Sequence, residues 1–104
     1  MTNKLRLALV GGGLITQSAH LPSALGCSAV EVVALVDPVR PRVEALARSY
    51  GIEPLLVTDL ASVLNRIDAA IIATPNHTHA PLAIECIEAG VPVLVEKPLA
   101  PSAA

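Results

Sequence analysis

Five short apolar runs alternate with more polar segments along the chain. Because these runs are apolar throughout, and do not alternate between apolar and polar residues, they are typical of strands buried on both faces of a sheet. They predict strands at residues 5–10, 30–36, 55–57, 69–73 and 91–95. Parallel strands of this kind need helices between them, so the pattern predicts an α/β fold.

The first two segments between the strands carry helix signals. A helix is expected to start near Leu14 and to be kinked or broken at His20 to Pro22, because proline has no backbone N–H to donate. Pro41 suits the first turn of a second helix, and Gly51 suits its C-terminal cap. The apolar face of this second helix recurs at helical spacing over Val43, Leu46, Ala47 and Tyr50.

The last two segments also predict helices. Thr58 or Asp59 caps a brief helix, and Thr78 is the expected cap of a longer one, since that start keeps Pro81 within the first turn. Gly90 ends the longer helix. With right-handed crossovers between the strands, these elements predict a doubly wound parallel sheet of about five strands in the order 3-2-1-4-5, with helices on both faces.

The composition agrees with one small domain over residues 1–104. Apolar residues make up 53% of the chain and charged residues 15%, which suits a sheet covered on both faces. A chain of this length holds a single core but is short for an enzyme that must also enclose a substrate. We therefore expect a part of the protein to be missing from this chain.

Charge and hydropathy narrow the classes of function. The net charge is -2 and Tyr50 is the only aromatic residue, so nucleic acid is not an expected partner. No signal peptide and no run near the ~20 apolar residues of a membrane span is found, so we expect a soluble, cytoplasmic protein without membrane contact. Cys27 and Cys86 lack the spacing of a metal or redox motif and are expected to be buried or half-buried thiols.

A glycine-rich turn follows the first strand. Gly11, Gly13 and Thr16 occupy the positions of the motif G-x-G-x-x-G, with threonine in the place of the third glycine. In this motif the first glycine permits a tight turn, the second lets the backbone approach a pyrophosphate, and the third allows close helix packing. Alone the turn is weak evidence, but its place between the first strand and a helix favours dinucleotide binding.

Asp37 ends the second strand, 24 positions after Gly13. This spacing is close to the ~20 residues expected for an acid that binds the adenosine ribose hydroxyls. A carboxylate there repels a 2′-phosphate, so NAD is favoured over NADP. Arg40 and Arg42 lie near enough in sequence to keep NADP open, and a simple Asp-Pro turn explains the aspartate without any ligand.

Polar residues also follow the fourth and fifth strands. Asn76 and His79 lie at the carboxyl edge, where open parallel sheets bind ligands. His77 and His79 are two positions apart, but no further ligands accompany them at suitable spacing, so no metal site is expected. Glu96 and Lys97 form either an ordinary solvated pair or, beside a nicotinamide, a group in which the lysine polarises a substrate oxygen or relays a proton.

Together these segments resemble the N-terminal domain of the Gfo/Idh/MocA oxidoreductases. The similarity spans residues 7–100, and segments 89–90 and 96–98 are its most specific parts, whereas Thr16 departs from the usual glycine. The resemblance implies a Rossmann domain of an enzyme that transfers a hydride between a nicotinamide cofactor and a sugar, polyol or related hydroxyl carbon. It also implies a second domain, absent here, for substrate binding and homo-oligomer contacts, so this chain should bind cofactor without turnover.

The resemblance assigns roles to individual positions. Asp37 would contact the ribose, and Lys97 would be the active-site lysine, next to the cofactor. The pyrophosphate contacts would be Gly11, Gly13, Leu14 and Ile15. The nicotinamide side would be lined by Thr74, Pro75, Asn76, His79 and Glu96.

Two other classes of function stay open. A stand-alone NAD-binding sensor or regulatory module would carry the same loop and acid, and an S-adenosylmethionine methyltransferase also uses a glycine-rich loop followed by an acid. Segments 74–79 and 96–98 argue against the methyltransferase. A titration that compares NADH, NADPH and S-adenosylmethionine separates the nucleotide classes.

Overall fold

The computed structural model describes residues 4–13, 19–74 and 79–95, with His79 described by its backbone alone. Within these residues one parallel sheet is formed by β1 (Leu5–Val10), β2 (Val30–Val36), β3 (Leu55–Val57), β4 (Ala69–Ile72) and β5 (Val93–Val95). The strands are joined by α1 (Leu21–Leu25), α2 (Arg40–Tyr50), a 3₁₀ helix (Leu60–Arg66) and α3 (His79–Glu88). The sheet order is β3-β2-β1-β4-β5, so the predicted doubly wound α/β fold is confirmed.

Both faces of the sheet are buried, because side chains along the central strand β1 alternate between two hydrophobic clusters. Ala8 and Val10 pack in the cluster that includes residues of α3 and the 3₁₀ helix. Leu7 and Leu9 pack in the opposite cluster, with residues of α1 and α2. Leu9 is only 1% exposed, and full burial of such a side chain stabilises the fold by about 1.5–3 kcal/mol.

The register of the sheet is irregular between β1 and β2, and several strands end level beyond this point. Val33 is an extra residue in β2, opposite no residue of β1, and it interrupts the pairing of these two strands. Beyond it, Val10 pairs with both Val36 and Ile72, and Ile72 also pairs with Val95. Strands β1, β2, β4 and β5 therefore end at one edge of the sheet.

The structure places the expected capping residues at the ends of three helices. Asp59, and not Thr58, caps the 3₁₀ helix, because its Oδ1 accepts a hydrogen bond of 3.0 Å from the backbone N–H of Ser62. Gly51 after α2 and Gly90 after α3 both have positive φ, at 64° and 75°. Such left-handed C-terminal residues favour glycine because it has no Cβ.

The first and third helices are described only in part. Residues 19–20 form a π-helical turn that leads directly into α1, and Pro22 lies in the first turn of α1. This irregular turn agrees with the expected kink and not with a break. The expected helix start near Leu14 and the expected cap Thr78 lie outside the described residues. No helix in the described part of the chain is long and apolar enough to cross a membrane.

Three sequence expectations need correction. The fifth strand starts at Val93 and not at Val91, because Pro92 before it has no N–H for the sheet ladder. Tyr50 is 37% exposed and does not complete the buried face of α2, since it is the last residue of the helix and its ring has a polar end. Cys27 is exposed because it lies in the surface turn between α1 and β2.

Cys86 fulfils the expectation of a buried thiol. Its side chain lies in the cluster beneath α3 and is 0% exposed. Burial, together with the nearby charge of Glu85, raises the pKa of the Cys86 thiol above its ordinary value. This thiol therefore stays protonated and acts as a small apolar core residue.

An exposed ion pair joins the start of β1 to the turn before β4. Asp68 Oδ2 accepts hydrogen bonds from the backbone N–H and the Nε–H of Arg6, at 2.8 and 3.3 Å, and Oδ1 accepts one from Nη2 at 3.2 Å. The hydrogen bonds from the Arg6 side chain, followed by the one from its backbone, hold the pKa of Asp68 below its ordinary value of 3.8.

We predict that Asp68→Asn lowers the melting temperature at neutral pH and that this deficit disappears in acid. Because the folded-state pKa is depressed, the contribution of Asp68 is present above the unfolded value near 3.8 and is lost as the pH falls through the folded value. Melting curves from about pH 7 down to about pH 2 measure the difference. Glu53→Gln, at an exposed position, is the control; a deficit for Asp68→Asn that stays constant in acid would contradict the assignment.

Candidate functional site

The glycine turn after β1 lies between the ends of its two neighbouring strands. The backbone N–H of Gly11 donates to the carbonyl oxygen of Val36 at 2.6 Å, and the N–H of Ala73 donates to the carbonyl of Val10 at 2.8 Å. Gly11 has a φ of 107°, and a Cβ there would lie 2.6 Å from the carbonyl oxygen of Ala73. The close contact and the dihedral angle both require glycine at this position.

Gly13 differs from Gly11 because protein packing does not require a glycine there. Apart from its chain neighbours, no atom of the described residues lies within 4 Å of a Cβ built on Gly13, and the residue borders a cavity at the sheet edge. A bare backbone beside open space suits the close approach of a ligand. This arrangement agrees with the role that the motif predicts for its second glycine.

Asp37 connects the end of β2 to the glycine turn. Its Oδ2 accepts a hydrogen bond of 2.7 Å from the N–H of Gly12, and its Oδ1 accepts one of 2.7 Å from the N–H of Val39. Asp37 is 3% exposed, so this charge is buried but hydrogen-bonded. The contact with Val39 is the expected Asp-Pro turn, whereas the sequence did not predict the contact with Gly12.

The Asp37 carboxylate also has a cation near it. The Nη1 atom of Arg42 lies 3.8 Å from Oδ2, and the Arg42 side chain is 58% exposed. Arg40 instead pairs with Glu44 one turn along α2, at 3.0 Å. Only Arg42 of these two arginines therefore borders the aspartate. Because each carboxylate oxygen has two lone pairs, Asp37 can still accept hydrogen bonds from a ligand hydroxyl.

A cavity of about 750 Å³ opens at this edge of the sheet, within the size range of small-molecule sites. The strand ends contribute Val10, Gly11, Gly13, Val36, Asp37, Pro38, Val39, Ala73 and Thr74. The surrounding helices and the turn after β3 contribute Arg42, Thr58, Asp59, Leu60, Pro81, Leu82 and Glu85. The cavity thus combines apolar walls with a few polar groups and a bare glycine backbone.

The structure brings four of the expected site residues together on this cavity: Gly11, Gly13, Asp37 and Thr74. His79 begins α3, and its side chain is not described. The remaining expected positions lie outside the described residues: Leu14, Ile15, Pro75, Asn76, Glu96 and Lys97. Their roles stay predictions.

Several cavity residues were not expected from the sequence. Thr58 and Asp59 directly follow β3, so their place after a strand end was an available signal. Pro81, Leu82 and Glu85 come from one face of α3, and only the packing of that helix brings them to the cavity. In the described part of the chain, no group of three or more His, Cys, Asp or Glu side chains is arranged to hold a metal ion.

A parallel sheet whose central strand leads into a glycine turn, with a carboxylate at the end of the next strand, defines a dinucleotide-binding Rossmann domain. The family described as "Oxidoreductase family, NAD-binding Rossmann fold" matches residues 5–104. The chain belongs to this family, Gfo/Idh/MocA, and the resemblance noted from the sequence is confirmed.

Similar proteins include two dehydrogenases of Saccharopolyspora erythraea. The chain is 42% identical to inositol 2-dehydrogenase 4 over 105 residues and 38% identical to inositol 2-dehydrogenase 1 over 101 residues. These matches cover 97% and 95% of this chain but 30% of each relative. The chain therefore spans about 30% of the length of the curated relatives that it matches.

Solved structures share the fold. GenD2 from gentamicin A biosynthesis, in complex with NAD, matches with a TM-score of 0.82 and 34% identity, over 95% of this chain and 28% of that one. A 3-ketoreductase from Actinomadura kijaniata, in complex with TDP-benzene and NADP, matches with a TM-score of 0.81 and 28% identity, over 93% and 31%. Both cofactors thus occur among structural neighbours.

We predict that alanine at Gly11 mainly lowers the stability of the fold, whereas alanine at Gly13 mainly lowers the affinity for NADH. Gly11→Ala should lower the free energy of unfolding by about 1–3 kcal/mol or more, because of its dihedral angle and the contact with Ala73. Gly13→Ala should change it by less than about 0.5 kcal/mol, yet weaken NADH binding by about tenfold or more, because the methyl group blocks a pyrophosphate. Denaturant unfolding and NADH titration measure these effects; NADH binding to Gly13→Ala at wild-type affinity would contradict the second role.

Proposed function

We propose that the complete protein is an NAD-dependent dehydrogenase acting on a hydroxyl-bearing carbon of a sugar, polyol or related compound. Residues 1–104 supply its dinucleotide site, and a second domain supplies the substrate pocket and homo-oligomer contacts. The observation that carries the proposal is the Asp37 carboxylate, hydrogen-bonded to the glycine turn at the cavity edge. Similarity to two inositol 2-dehydrogenases supports the substrate class.

The described residues fit the adenosine half of the cofactor. In the proposed pose Asp37 accepts hydrogen bonds from the ribose hydroxyls, and the pyrophosphate passes along the bare backbone of Gly13. The apolar cavity walls would pack against the base. When bound, the nicotinamide ring supplies hydride transfer, and the task of the protein is to orient it.

Lys97 is the proposed catalytic residue. Val95, two positions earlier in the sequence, ends β5 and pairs with Ile72 at the sheet edge where the cavity opens. Oxidation of an alcohol carbon releases a hydride from carbon and a proton from oxygen. The ammonium or amine of Lys97 would hold the substrate oxygen and pass on that proton.

In a complete protein, Lys97→Ala should lower kcat by about 10²-fold or more while NADH affinity changes by less than about threefold, since the group acts on the substrate oxygen. Steady-state rates with myo-inositol and an NADH titration measure the two effects. Lys4→Ala, at the exposed start of the described chain, is the control. An unchanged kcat would remove Lys97 from the mechanism.

NAD is the proposed cofactor, in preference to NADP. A 2′-phosphate next to Asp37 would meet a buried carboxylate that is held by two backbone N–H groups and cannot turn away. The exposed Arg42 guanidinium is the group able to offset this repulsion, because it borders the same carboxylate.

Binding titrations with NADH and NADPH test this cofactor preference. Asp37→Asn should narrow the preference for NADH by roughly tenfold, and Arg42→Ala should widen it by weakening NADPH binding alone. Arg40→Ala is the matched control, because it removes the same charge from the same helix at a residue that is paired with Glu44. If no variant changes the ratio of NADH to NADPH affinity, a group other than Asp37 or Arg42 distinguishes the two riboses. If the wild-type chain binds neither dinucleotide, the proposed function is wrong.

A further inference from the structure

Glu85 is an acid of the cavity wall that the proposed ribose and phosphate contacts do not use. It lies on α3, one turn after Pro81 and Leu82, and these three residues form the helical side of the cavity. Its side chain is half-buried. Within the described ranges, the Glu85 carboxylate accepts no hydrogen bond and forms no salt bridge.

The other two acids that line the cavity are already engaged by backbone donors. Asp37 accepts hydrogen bonds from Gly12 and Val39, and Asp59 accepts one from Ser62 as a helix cap. The half-buried Glu85 side chain, by contrast, has no such donor among the described residues. Among the described residues, Glu85 is therefore the lining acid whose carboxylate no protein donor engages, whereas the lone pairs left on Asp37 are assigned to the ribose hydroxyls.

The surroundings of Glu85 match a flat heterocycle with one polar edge. Val39 before α2, Leu60 of the 3₁₀ helix, and Pro81 and Leu82 of α3 are apolar residues that line the cavity. In the proposed pose, a base attached to a ribose at Asp37 would extend away from Gly13, beside which the pyrophosphate would lie, and toward these walls. Its faces would contact the apolar side chains, and its edge would reach Glu85.

We propose that Glu85 is a specificity residue that accepts a hydrogen bond from the exocyclic amino group of the adenine base, an inference that rests on the proposed dinucleotide function. Adenine presents an N–H donor at its 6-position, whereas hypoxanthine and guanine present a carbonyl oxygen there. A carboxylate held opposite the 6-position accepts from the amino group and repels the carbonyl, and it can accept from the neighbouring N1–H of hypoxanthine only if the base shifts within the cavity. The site therefore selects adenine dinucleotides against their deaminated forms.

The test compares NADH with reduced nicotinamide hypoxanthine dinucleotide by calorimetric titration of the chain. The wild-type chain should bind NADH about tenfold more tightly or better. Glu85→Gln should reduce this ratio to about one, because an amide can accept from the amino group or donate to the carbonyl. Glu88→Gln removes the same charge from the same helix at an exposed position outside the cavity wall, and its ratio should equal that of the wild type.

The possible results separate the role of Glu85 from the proposed function. Equal affinity of the wild-type chain for the two dinucleotides would overturn the assignment even if the Glu85→Gln chain failed to fold. A ratio that is unchanged in a folded Glu85→Gln chain would overturn it as well, with the cofactor site left intact. Failure of the wild-type chain to bind NADH at all would overturn the proposed function, and this inference with it.

Discussion

The Asp37 carboxylate accepts hydrogen bonds from two backbone N–H groups that follow different strands, Gly12 after β1 and Val39 after β2. A buried carboxylate without partners costs several kcal/mol, so this side chain holds both turns in place. The contact with Asp37 also limits the number of N–H donors that the turn can offer a ligand. Because the N–H of Gly12 is taken by Asp37, it is not available to a phosphate, and Gly13 is the described glycine of the turn that borders the cavity without close packing.

This contact depends on the register of the sheet. The extra residue Val33 in β2 shifts the pairing with β1, so that Val36 lies opposite Val10 and the two following residues, Gly11 and Asp37, are level. Without the extra residue, β2 would be displaced by one position, and the alternation of side chains would turn a different residue toward the turn. The bulge therefore sets the register that lets the buried carboxylate of Asp37 accept the hydrogen bond from Gly12.

Much of the fold was predictable because the signals are local. Apolar runs located the five strands, and Asp59, Gly51 and Gly90 marked helix ends through capping preferences that act within one turn. The predictions were wrong for residues whose exposure to solvent does not follow from the local sequence pattern. Tyr50 continues the helical spacing of α2 but lies at its last position, and Cys27 lies in a turn, so neither is buried.

The candidate site was predictable only in its motif residues. Gly11, Gly13 and Asp37 carry a recognised spacing, and the structure places them on one cavity. The hydrogen bond from Gly12 to Asp37 depends on the bulge, and the place of Glu85 depends on how α3 packs across the sheet. These are relations between elements far apart in sequence, which no local pattern encodes.

The charges around Asp37 differ in mobility, and this difference decides how the proposed site would treat the two nicotinamide dinucleotides. Asp37 cannot move without breaking two part-buried hydrogen bonds, so its repulsion of a 2′-phosphate is a fixed property of the fold. Arg42 is 58% exposed and 3.8 Å from the carboxylate, so it can move toward a phosphate at little cost. The repulsion is buried and weakly screened by salt, whereas the compensating attraction is exposed and screened more strongly. The preference for NAD should therefore increase with ionic strength, since salt removes the attraction of Arg42 and leaves the repulsion of Asp37.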